Sequence, residues 1–214
     1  MNVEVERALA DLTEVRDRLA SVQRFRGYSS RVAAISGGIA LLGGLVQAAL
    51  VPHPSSLSDV RLYVTIWISC LVAALAVYYG NLLGWYLRND GRQARYQSKT
   101  VSLSLLPALA LGAVLSLAVC LQGVPAMLPG IWYACYGLAL FASRNHVPRA
   151  VLSVAGMFGL IGAALLLMPN QWSALAWWVM AAGFAIGQFW IGWLIAAEGA
   201  IESNTMSEIS HERQ

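Results

Sequence analysis

The stretch IWISCLVAAL at residues 66–75 returns 65 positions later as IWYACYGLAL at residues 131–140. Ile66, Trp67, Cys70, Ala74 and Leu75 match Ile131, Trp132, Cys135, Ala139 and Leu140. Both copies lie in runs without a single Asp, Glu, Lys or Arg. Six such runs occupy residues 32–51, 62–87, 101–122, 124–142, 150–168 and 172–197. Each has the length a helix needs to cross a hydrocarbon core of about 30 Å. Backbone polar groups in lipid must be satisfied within their own segment, so helices are the expected form. The composition agrees, with 58% apolar and only 12% charged residues, where a soluble domain carries about a quarter charged.

The repeat extends to the runs that precede each copy. The first carries Ser36, Ala40, Gly44 and Ala48, the third Ala108, Gly112, Ser116 and Cys120, the fifth Ala155, Gly159 and Ala163. Small residues four apart share roughly one helix face and let helix backbones approach closely. The even-numbered runs are bulkier and aromatic, the sixth echoing the repeat with Trp178 and Ala185 in the same register. Pro52, Pro54, Pro125, Pro129 and Pro169 fall at the turns between paired runs. The expected fold is therefore all-α: a polytopic membrane protein with six transmembrane helices arranged as three helical hairpins. Membrane helices draw on few residue types, so the matches fit either true duplication or chance. Gly44, Gly112, Gly159, Gly183 and Gly187 are the candidate helix-packing positions, the last two forming a Gly-x-x-x-Gly pair. Trp172, Trp177, Trp178, Trp190 and Trp193 read as interfacial anchors in preference to ligand-stacking residues.

Of the 14 basic residues, only Arg61 falls on the opposite side from the rest. The positive-inside rule then places both termini in the cytoplasm. The net charge of +3 is thus a topology signal, and no nucleic-acid partner is expected. The roughly thirty mixed-charge residues before the first run are unlike the short basic start of a cleaved signal peptide.

Three parts are expected: a cytoplasmic amphipathic helix at residues 1–27, a six-helix transmembrane domain at 28–198 and a polar, mildly acidic cytoplasmic tail at 199–214. In the first part Val5, Ala8, Leu12, Val15, Leu19 and Val22 alternate spacings of three and four, an a/d seam of about two and a half heptads. Glu4 and Glu6 near its start and Arg24 and Arg26 near its end suit the helix dipole, and Gly27 suits its termination. The seam serves self-association or a protein partner, packing on the chain's own helices, or lying on the lipid surface. The segment RNDGRQARYQSK at residues 88–99 reads as a basic loop turning at Asn89-Asp90-Gly91 and touching anionic headgroups.

No ionisable residue sits in mid-run, which weighs against proton-coupled pumps, voltage sensors and intramembrane proteases. Gln47, Ser69, Tyr79 and Gln188 are the candidate polar residues of a solute pathway, although both glutamines equally suit interhelical hydrogen bonds. Cys70, Cys120 and Cys135 read as small packing residues. His53, His146 and His211 are scattered over loops and tail, so neither a metal nor a cofactor is expected. With no phosphate loop and no nucleophile motif, no catalytic residue emerges and an enzyme is not expected.

At YGLALFASRNHVPRAV, residues 136–151, the chain resembles a group of uncharacterised six-span bacterial inner-membrane proteins with an aromatic fourth span, a FAS-R exit and a short basic turn. The resemblance covers the second half of the chain and implies a bacterial inner (cytoplasmic) membrane as the location. Some of that group are encoded beside winged-helix regulators, which implies a regulated membrane component and assigns no residue a role. Two functions remain open: a non-catalytic integral membrane module (sensor, scaffold or regulatory subunit) coupling through its N-terminal helix, and a facilitator or channel for a small neutral or apolar solute.

Overall fold

The computed structural model describes residues 29–88, 92–144, 147–168 and 171–212. The seam from Val5 to Val22, Gly27 and the turn at 89–91 lie outside the described residues. Among these described residues six α-helices follow in order: α1 (Ser30–Leu50), α2 (Leu57–Arg88), α3 (Arg92–Leu121), α4 (Leu128–Ala142), α5 (Val151–Leu167) and α6 (Trp177–Glu212). Short 3-10 turns at Pro125–Met127 and Gln171–Leu175 precede α4 and α6. No strand occurs among the described residues.

Among the described residues four segments are long and apolar enough to cross a membrane: Ser30–Leu50, Leu57–Gly84, Pro125–Ala142 and Trp177–Ala200. Leu105–Leu121 and Val151–Leu167 are shorter apolar stretches, each about 26 Å at 1.5 Å per residue. Leu42, Leu45, Val72, Val114, Leu117, Leu160 and Leu167 are all exposed on the outside of the bundle. So large an apolar surface suits hydrocarbon and would drive association in water.

Local sequence sets the helix ends. Ser29 caps α1, its hydroxyl accepting from the Arg31 N–H at 3.3 Å. At the start of α2, Asp59 accepts from the Ser55 and Ser56 N–H groups while the Ser56 hydroxyl accepts from the Asp59 N–H. That is the reciprocal capping box, with aspartate in the glutamate position. Gly123, at φ +72°, ends α3 in the left-handed region that a glycine adopts without strain. Pro129 occupies the first turn of α4, where no intrahelical donor is needed.

The expected basic loop and the polar tail both contain helix. Arg92 to Lys99 form the opening turns of α3, so the basic segment is mostly helix and only 89–91 separate α2 from α3. The segment from 199, expected as a tail, continues α6 to Glu212. Gly199 alone weakens a helix by about 1 kcal/mol against Ala, too little to stop one already nucleated by the apolar half.

α1 is antiparallel to α2, α3 to α4 and α4 to α5, their contacting residues pairing in opposite order, but the broadest contacts are α1 with α6 and α4 with α5, which join different members of the expected hairpins. A Cβ at Gly44 would collide with the Ala181 side chain, and one at Gly37 would lie 3.1 Å from Phe189. On α4 and α5 the backbones themselves meet. A Cβ at Gly137 would fall 2.8 Å from the Ala155 carbonyl, and one at Gly162 would fall 2.7 Å from the Ala134 nitrogen. Such contacts supply dispersion that lipid cannot replace. The pair α2 and α3 touches at few places, and that gap shapes the candidate site.

Candidate functional site

The gap is the side of a cavity of about 560 Å³ walled by α1, α2, α3, α4 and α6. From α2 it is lined by Trp67, Cys70 and Ala74, and from α4 by Trp132, Cys135 and Ala139. These are three of the five matched pairs of the repeated stretch. Positions i, i+3 and i+7 share a helix face, so both copies turn the same face to one space. The four small residues of the third run, Ala108, Gly112, Ser116 and Cys120, form the α3 wall. All three cysteines of the sequence therefore line this cavity, and none is in a disulfide. Among the described residues no cluster of three metal-ligating side chains exists.

The two tryptophans are held alike. Trp67 donates its indole N–H to Gln47 Oε1 on α1 at 2.8 Å, and Trp132 donates its own to Ser116 Oγ on α3 at 2.8 Å. Four residues before each acceptor stands a glycine that faces the matched cysteine. A Cβ at Gly43 would lie 2.5 Å from Cys70 Sγ, and one at Gly112 would lie 3.6 Å from the same atom of Cys135. The sequence separations are 20 for the first Trp bond and 16 for the second, an offset of about one helical turn.

Only Gln188 of the four candidate pathway residues reaches the cavity wall. It is 8% exposed and its Nε2 donates to the Tyr136 hydroxyl at 2.5 Å. Gln47 is wholly enclosed, its Nε2 donating to the Leu175 carbonyl at 2.8 Å while Oε1 accepts from Trp67. It thereby ties α1, α2 and the turn before α6 together. Ser69 and Tyr79 face outward, the Ser69 hydroxyl donating to the Thr65 carbonyl of its own helix. These four side chains do not converge on a common path.

Among the packing candidates, Gly44, Gly183 and Gly187 sit at tight crossings, against Ala181, Tyr133 and Phe158 respectively. Gly112 makes ordinary contact with Cys135, and a Cβ at Gly159 would meet nothing within 4 Å. Sequence reading missed Gly43, Gly130, Gly137 and Gly162, although Gly130 and Gly137 stand one heptad apart. Trp178, the expected third copy of the repeat tryptophan, is exposed, and α6 presents Met180, Phe184 and Gln188 to the cavity instead. Comparison with known proteins finds no matching family model, curated protein or solved structure.

Tyr136 and Phe184 of the cavity wall pack with Tyr133 and Phe158, centroids 4.7 to 5.5 Å apart, locking α4, α5 and α6 together. On α2 the fully buried Tyr63 stacks on Trp132 of α4 at 6.0 Å with planes 5° apart. Its hydroxyl has no hydrogen-bond partner among the described residues. A buried unsatisfied hydroxyl costs on the order of 1–3 kcal/mol. Tyr63→Phe is therefore expected to leave stability unchanged or raise it by about 1 kcal/mol, measured by thermal unfolding in detergent. A clear loss would instead place a buried water on the hydroxyl.

Proposed function

We propose that this chain is a non-catalytic integral membrane module whose bundle binds a small neutral or apolar ligand and signals occupancy through its N-terminal helix. The carrying observation is the cavity itself, lined by no Asp, Glu, Lys, Arg or His and walled by five helices. A site that presents shape, thiols, indoles and one amide suits binding far better than acid–base or phosphoryl chemistry, which needs positioned ionisable groups. Ser36 on α1 reaches the wall, and α1 begins at Ser30, directly after the amphipathic segment. A change in the cavity thus has a short mechanical route to residues 5–22.

The reading includes six spans as three hairpins, both termini in the cytoplasm and a bacterial inner membrane. Antiparallel neighbours and the confinement of basic residues to one side support it. The paired Trp and Gly–Cys contacts favour true duplication of the first two hairpins. The likeness to regulated six-span inner-membrane proteins is in keeping with this role.

The test is purification in mild detergent from native membranes, with mass spectrometry of whatever stays bound in stoichiometric amount. The expected result is a protein partner, or a homo-oligomer, lost when Leu12 and Leu19 are both changed to Asp, since two charges in an a/d seam abolish its burial. An unchanged assembly state and an unchanged set of bound proteins would reject coupling through residues 5–22. The cavity also favours a second reading, a facilitator for small uncharged solutes. That reading predicts selective flux in liposomes, reduced by filling the cavity at Gly112.

A further inference from the structure

The cavity's open side, its length and its one amide specify the kind of molecule it takes, an inference that rests on the ligand-binding reading above. At the lips between α2 and α3, Ile68, Leu71 and Leu117 are exposed. All three are apolar and sit within the charge-free runs, so a molecule entering there comes from hydrocarbon and not from water. Along α3 the wall runs from Ala108 to Cys120, about 18 Å of helix at 1.5 Å per residue. That is more than half the depth of a hydrocarbon core of about 30 Å, a slot for an elongated molecule.

The slot is not uniformly apolar. Gln188 lines it while more than nine-tenths buried. Its Nε2 is used by Tyr136, but its Oε1 accepts no hydrogen bond among the described residues. That oxygen is not among the enclosed side-chain atoms that lack a partner, so it is open to the cavity it lines, whereas the other buried glutamine, Gln47, has both amide atoms engaged within the protein. The missing partner of Gln188 is then a donor brought by the ligand. No charged side chain in the lining balances an ion, and an unpaired ion is expelled from such surroundings. The donor belongs to an uncharged group.

We propose that the cleft between α2 and α3 takes an elongated, uncharged, lipid-soluble molecule that enters sideways from the bilayer and donates a hydroxyl or N–H hydrogen bond to Gln188 Oε1. An acyl chain of a phospholipid fits the slot but carries no donor to that depth, because its polar group stays at the interface.

The test uses the full-length protein in phosphatidylcholine vesicles and three photoreactive probes. These are 1-dodecanol with a mid-chain diazirine, its methyl ether, and a phosphatidylcholine carrying the same diazirine in one chain. Labelled peptides are mapped by mass spectrometry. The alcohol is expected to label residues 64–74 and 108–120 roughly fivefold more than the ether, the scale of one hydrogen bond. In Gln188→Leu the alcohol should fall to the level of the ether, the ether being unaffected. Gly112→Leu keeps the amide but fills the slot, so both probes should lose these peptides together.

Equal labelling by alcohol and ether in the unsubstituted protein would overturn donor recognition while leaving the cleft a binding site. Labelling by the phosphatidylcholine probe as strong as by the alcohol would make a lipid chain the occupant and overturn the proposal. Labelling confined to outward positions such as Leu42 and Leu160 for every probe would overturn both this inference and the ligand-binding function beneath it.

Discussion

Gly183→Val is expected to destabilise the bundle by about 2–6 kcal/mol, the sum of an overpacking cost of about 1–3 and a similar cost for a stranded buried hydroxyl. A Cβ at Gly183 would overlap the Tyr133 phenol. The phenol cannot swing away, because its ring is fixed between Phe158 at 5.5 Å and Phe184 at 5.0 Å. Its hydroxyl donates to the Val179 carbonyl at 2.7 Å, four residues before Gly183 on the same helix. The added branch therefore breaks a hydrogen bond and pushes α4 from α6 at once. Thermal unfolding in detergent should show a lowered midpoint, by about 2–4 °C for each kcal/mol in a chain of this size. The companion experiment is Gly183→Ala with and without Tyr133→Phe. Removing the hydroxyl, the atom nearest the new methyl group, should recover part of the loss, so the double variant is more stable than additivity predicts. A Gly183→Val protein that melts with the parent would show that Tyr133 does not rest on α6.

How much of this could be read in advance depends on what each residue signals alone. The Gly183 and Gly187 pair was legible because two glycines four apart in an apolar run have few other uses, and both sit at tight crossings. The four-spaced series did less well, and helix geometry explains why. Four residues advance about 400°, so such a stripe drifts by about 40° per step. On α5 the buried face runs through Val151, Val154, Ala155, Phe158, Gly162 and Leu165, mixing steps of three and four, and it leaves Gly159 facing open space. On α1 the same correction adds Gly37 and Gly43 to Ala40 and Gly44.

Polar residues were legible as exceptions but not in direction. Gln47 and Ser69 both interrupt apolar runs; one is enclosed and bonded to two other elements, while the other serves its own helix and faces outward. A hydroxyl can be satisfied by the carbonyl four residues back, whereas a glutamine amide carries more donors and acceptors than its own turn absorbs. Pairings between distant helices had no signal at all. Nothing in the spacing of α1 says that α6 will lie on it. The repeat announced matched tryptophans and cysteines, yet their convergence on one cavity follows only from how α2 and α4 are set against each other.

Gln47→Leu tests the largest of those convergences, and the expected loss is about 2–4 kcal/mol. The substitution keeps volume and removes both amide atoms, leaving the Trp67 indole N–H and the Leu175 carbonyl without their partner. Each buried orphan costs about 1–3 kcal/mol in water-soluble proteins. Hydrogen bonds between membrane helices average nearer 0.6 kcal/mol, because the unfolded chain in lipid finds other partners. That discount is smaller here: Gln47 is 0% exposed, and Leu175 belongs to a turn before α6 whose carbonyl has no helix ladder to fall back on. A double-mutant cycle with Trp67→Phe should return a coupling of about 1 kcal/mol for the indole bond, the remainder belonging to Leu175. Ser69→Ala is the control, a polar residue on the neighbouring helix whose hydroxyl serves only Thr65, and it should move stability by less than about 0.5 kcal/mol. Equal effects at Gln47 and Ser69 would mean the amide does not bridge the three elements. A large effect at Gln47 with no coupling to Trp67 would put the whole tie on Leu175, and the Trp67 ring would then owe its place beside the cavity to packing alone.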